Sequence, residues 1–160
     1  MAITGIFDLK SATDLREKLR HDLTEFRNQP VDAYRAYNFF VTAEHLLDWQ
    51  FPGYAKKSAR QAARKGELLL QITSHMATGA KHFLPENKHH TTVADTRKTQ
   101  TSNSGGFGTA YFGAAFFGGA PTYTHLVIEL YGTAASKYGQ FVNAIDIAEK
   151  VLAYWDAQIL

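Results

Sequence analysis

A chain of 160 residues that is 45% apolar is the size of one ordinary domain and can bury a core without covalent staples. The absence of cysteine excludes disulfides, thiolate metal sites and cysteine nucleophiles, and fits a reducing compartment. Seventeen basic against fifteen acidic side chains leave a net charge of +2, too near neutrality for a dedicated nucleic-acid binder. No apolar stretch approaches the roughly 20 residues that cross a bilayer, and MAITGIFDLK lacks a basic start followed by an apolar run. A single domain over 1–160, cytoplasmic and without a membrane partner, is the expectation.

The first helix is expected over about 11–28. Ser11 and Asp14 have the spacing of an N-terminal cap, and Leu15, Leu19, Leu23 and Phe26 recur at helical intervals until Asn28-Gln29-Pro30. A second helix over about 30–50 starts at Pro30, carries apolar residues on more than one side and ends at Phe51-Pro52-Gly53, which makes it the central and most buried one. A short basic helix over 55–65 and a longer one over 67–83 follow, with Gly66 at the join and Pro85 as the stop.

From Thr91 the period changes. Thr91 to Thr101 is rich in Thr without a helical repeat, and Leu126, Ile128 and Leu130 alternate onto one face. Between them GGFGTAYFGAAFFGG, from Gly105 to Gly119, repeats a Phe-Gly pair every five residues and holds six of the twelve glycines. Glycine weakens strand interiors, so burial of Phe107, Phe112, Phe116 and Phe117 against the domain or a second copy must offset it. An antiparallel meander of two to four strands over 91–132 is expected. Ser136 then caps a last helix over 137–159, with Phe141, Ile145, Ala148, Leu152, Trp155 and Ile159 as its stripe. The fold class is α+β, mainly α: a bundle of four to five helices with a small β meander inserted before the C-terminal helix.

Charge is uneven along the chain. Residues 1–48 carry six basic and eight acidic side chains, whereas residues 49–66 carry Lys56, Lys57, Arg60, Arg64 and Lys65 with no acid. Lys56, Arg60 and Arg64 follow each other at i+4, a cationic ridge suited to an anion, an RNA backbone or an acidic protein, or else a solvated helix face. Among histidines, His45, His75 and His82 stand on the inferred helices, and three imidazoles would suit zinc or nickel. His75 and His82 are seven residues apart, however, roughly 10 Å along a helix axis, which is too far for one ion. Glu44 and Asp48, one turn apart, are an acid/base pair or a solvated rim. No cofactor is implied.

AYNFFVTAEHLLDWQFPG at Ala36 to Gly53, HMATGAKHFLP at His75 to Pro85 and AEKVLAYWDAQ near the end resemble a group of small bacterial helical proteins, and the middle motif is similar to the conserved helix of HEPN-type domains. Active HEPN ribonucleases pair an Arg with a His four to six residues later. Here His82 is present, but Thr78 or Ala77 stands where Arg would, and Lys81 is the nearby cation. Arg16 to His21 has the spacing on the first helix. The resemblance implies a helical bundle, dimeric, more than a nuclease.

Three functions stay open. The leading one is a non-catalytic binding or assembly module that self-associates. The others are a HEPN-like ribonuclease or degenerate RNA binder using His82, Lys81 and the basic helix, and a metal-dependent bundle enzyme using His45, His75 and His82.

Overall fold

The computed structural model describes residues 4–82, 91–102 and 122–159. In chain order they form α1 (Ala12–Asn28), α2 (Ala33–Gln50), a 3-10 turn (Tyr54–Lys56), α3 (Lys57–Gly66), α4 (Leu68–Lys81), β1 (Val93–Ser102), β2 (Thr122–Leu130), α5 (Gly132–Tyr138), β3 (Phe141–Asn143) and α6 (Ala144–Gln158). The fold is α+β and mainly α, with six helices among the described residues where four to five were expected.

The N-terminal signal of α1 is a full capping box. Ser11 Oγ accepts the Asp14 N–H at 3.1 Å, and Asp14 Oδ2 accepts the Ser11 N–H at 2.8 Å. The Lys10 N–H, followed by Ser11, holds the Asp14 carboxyl below its ordinary range. Leu15, Leu19, Leu23 and Phe26 form the buried stripe that lies on α2 and α6. Burying a side chain of this size stabilises by about 1.5–3 kcal/mol, so four in register fix the seat of α1.

The start of α2 differs from expectation. Pro30 lies outside it, and Asp32 is the cap, its carboxylate accepting the Tyr34 N–H at 2.8 Å. An Asx oxygen can satisfy an orphan amide, which Pro cannot. Once begun, α2 is the central helix: it packs against α1, α4 and α6, and Phe39 and Phe40 meet edge to face at 5.4 Å inside the core. Phe51 closes it.

The expected single helix over 137–159 is instead two helices and a strand. Ser136 caps nothing; it sits inside α5, its Oγ donating to the Gly132 carbonyl at 3.2 Å. Gly139, at φ 97°, ends α5, and Phe141 then lies in β3, 54% exposed. Asn143 begins α6, on which Ala148, Leu152 and Trp155 are buried, as expected, with Ile147 and Val151 beside them.

The sheet is antiparallel in the order β1-β2-β3, so the third strand comes after α5 rather than within 91–132. β1 and β2 pair from Val93↔Leu130 to Ser102↔Thr122, with a bulge between Val93 and Asp95. Ile128 and Leu130 are buried and Leu126 packs partly against the core, as the alternation required. Beyond them Gln100, Thr101, Thr122 and Tyr123 are exposed, while Thr99, Thr124 and His125 are half-buried. The expected Gly-aromatic part of the meander, with Phe107, Phe112, Phe116 and Phe117, joins Ser102 to Thr122 and lies outside the described residues, as does Phe83.

Candidate interaction surface

The basic helix and the acid pair of α2 meet. Arg60 Nε lies 3.0 Å from Asp48 Oδ1, and Arg64 donates to Glu44 Oε1 at 2.5 Å. Arg60 also donates to the Gly53 carbonyl at 2.8 Å and to that of Phe51. The expected cationic ridge is therefore split: Ala59, Arg60, Ala63 and Arg64 turn inward, while Lys56, Lys57 and Lys65 are exposed. α3 buries no residue fully and packs chiefly on α4, while these arginine pairs tie it to α2. Burial pushes the Glu44 carboxyl above its ordinary range, against the opposing pull of Arg64 and of a hydrogen bond from Ser74. Lys57 Nζ stands 5.8 Å from the centre of the Tyr54 ring, an aromatic that is 84% exposed.

The histidines do not converge. His45 is exposed on the outer face of α2, and His82 ends α4, exposed beside Lys81. His75 is half-buried, and its Nδ1 accepts the Val93 N–H at 3.1 Å. Among the described residues no group of three or more His, Cys, Asp or Glu side chains could hold a metal ion. Arg16 and His21 also part: Arg16 donates to the Ile159 carbonyl, whereas His21 lines a cavity between α1 and α2. Five residues turn a helix by about 500°, or 140° net, which points the two apart.

That cavity, of about 400 Å³, was not read from the sequence; Asp22, Glu25, Asp32, Arg35 and Asn38 line it with His21. Behind it Asp22 is buried, its Oδ2 accepting Lys18 Nζ at 2.6 Å and Thr42 Oγ1 at 2.6 Å. Lys18 at i−4 from Asp22 was the visible half of this cluster. Thr42, on another helix, was not foreseeable.

The most open surface is the β1–β2 ribbon. Residues 94–98 are all exposed, and β1 meets the helices chiefly at its base on α4. Asp95, Arg97, Glu129 and Phe141 share the solvent face of the sheet. Arg97 lies 3.0 Å from Glu129 and 3.6 Å from Asp95, and its guanidinium stands 5.0 Å from the Phe141 ring centre. Tyr123, 51% exposed, extends that face outward. The i,i+2 spacing of Asp95 and Arg97 in a strand was the sequence signal that would have found this cluster.

No helix among the described residues is long and apolar enough to cross a membrane. Compared with protein-family models, curated proteins and solved structures, the chain matches none.

Proposed function

We propose that the chain is a non-catalytic assembly module that associates with copies of itself. The observation that carries this reading is β1, a ten-residue strand at the edge of the sheet among the described residues, whose residues 94–98 are all exposed. Long edge strands present unpaired backbone donors and acceptors, and proteins usually cover or shorten them. Neither proline nor glycine interrupts this one. The exposed Tyr123 and Phe141 support the same reading, since aromatic residues enrich contact surfaces.

Light scattering coupled to size exclusion, on untagged protein at rising concentration, tests it. A mass that climbs from one chain to a discrete multiple is the expected result. A single-chain mass at every concentration would remove the reading.

A second reading, an RNA binder, is favoured by Lys56, Lys57 and Lys65 lying exposed along α3 and its start, with Lys57 against the open Tyr54 ring. Cations with an adjacent aromatic suit a phosphate backbone and a stacked base. It predicts that single-stranded RNA is bound at low salt and that charge reversal of the three lysines abolishes binding, measured by fluorescence anisotropy. Absence of binding at low salt removes it.

A further inference from the structure

We infer that two copies of this chain join edge to edge through β1, antiparallel, about a two-fold axis at Thr96. This rests on the self-association proposed above and names the surface and register that carry it.

The backbone decides which groups are open. Leu130 donates its N–H to the Gln140 carbonyl at 2.7 Å, on the β3 side. Along a strand these groups alternate between the two edges, so Ile128 also faces β3. Thr96 stands opposite Ile128 and therefore turns its own N–H and C=O away from β2, to the edge that no described strand covers. Lys98, Gln100 and Ser102 do the same by alternation. At the base, His75 Nδ1 already accepts the Val93 N–H, so the open row starts at Thr96.

Charge then selects the register. Facing residues of two identical antiparallel strands must both turn their groups toward, or both away from, each other, so the axis passes through a residue and never between two. An axis at Asp95, Arg97 or Lys98 sets like charges face to face, which is unfavourable. An axis at Thr99 makes no charge pair, because Lys98 would face Gln100. With the axis at Thr96, Asp95 of each copy faces Arg97 of the other, twice by symmetry. The two Thr96 residues exchange a pair of N–H···O=C bonds, which join the two sheets at that point. The two Arg97–Phe141 contacts then lie on one shared face.

The test uses the charge pair. Asp95→Arg alone, or Arg97→Asp alone, raises the dissociation constant about tenfold or more, because two attractive cross-strand pairs become repulsive. An equimolar mixture of the two variants restores the dimer, since basic edges then face acidic ones, and the double variant Asp95→Arg/Arg97→Asp restores it within one chain. Thr96→Pro keeps every charge and removes an open N–H, and it too dissociates the dimer. Circular dichroism checks that each variant is folded. Wild-type protein that oligomerises while both single variants keep its mass overturns the edge and leaves self-association standing. Wild-type protein that is monomeric throughout overturns both.

Discussion

Two polar side chains, the half-buried Glu44 and the buried Asp22, show how single residues set the behaviour of the chain. Glu44 carries a carboxyl raised above the ordinary glutamate value of 4.5, chiefly because burial penalises its charge. A group whose folded value lies above its unfolded one keeps its proton longer in the folded state, so its contribution to stability is full below the unfolded value and falls as pH rises through the folded one. Glu44→Gln can still accept from Arg64 but cannot titrate. Urea midpoints measured from acid to neutral pH are expected to show the advantage of wild type over this variant shrinking with rising pH, then levelling. Parallel profiles would mean that burial of Glu44 does not govern its titration. Asp22 is a buried carboxylate that accepts from Lys18 and Thr42. Thr42→Val removes a hydrogen bond to it at 2.6 Å and is expected to destabilise by about 1–3 kcal/mol, because an acceptor left short of donors in a buried place loses its water without replacement.

At the scale of elements, the parts legible in the sequence were those with local causes. Ser11 and Asp14 announced α1 because a capping box is four residues long, and Ile128 and Leu130 announced β2 because strand alternation repeats every two. The last third failed where a break had to outweigh a stripe. Phe141 to Ile159 reads as one helical face, yet Gly139 holds a backbone with φ 97° and ψ 153° that almost only glycine adopts, and the chain leaves α5 there. Gly139→Ala meets only Val142 Cγ1, at 3.8 Å, so its cost is backbone strain rather than a clash. A loss of about 1–3 kcal/mol in chemical denaturation is expected; a neutral substitution would mean that the turn tolerates another path. Interhelical polar ties were equally hidden. Arg60 and Arg64 looked like a free ridge because their acidic partners, Asp48 and Glu44, lie on a helix that ends before α3 begins.

For the molecule as a whole, the two ends of the sheet are unequal. Its base is anchored by Ile128 and Leu130 in the helical core, and Val93 is closed by His75. Among the described residues its outer part is a two-stranded ribbon, an arrangement that is marginal in water without a third strand or a covering helix. In a lone chain, amides of β1 beyond Val93 are therefore expected to exchange quickly, while those of α1 and α2 exchange only on global unfolding. Pairing at Thr96 bonds the open N–H and C=O of that residue to the second copy and steadies the ribbon near its base. Hydrogen exchange read by mass spectrometry at dilute and concentrated protein separates the two states. Slowing confined to peptides spanning 95–99 at high concentration is the expected outcome, and Asp95→Arg should abolish it without changing protection of the helices. Slowing on the outer face of α2, around Tyr34 and Tyr37, with β1 unchanged, would instead place the contact on the helical side, where those two rings are 84% and 49% exposed.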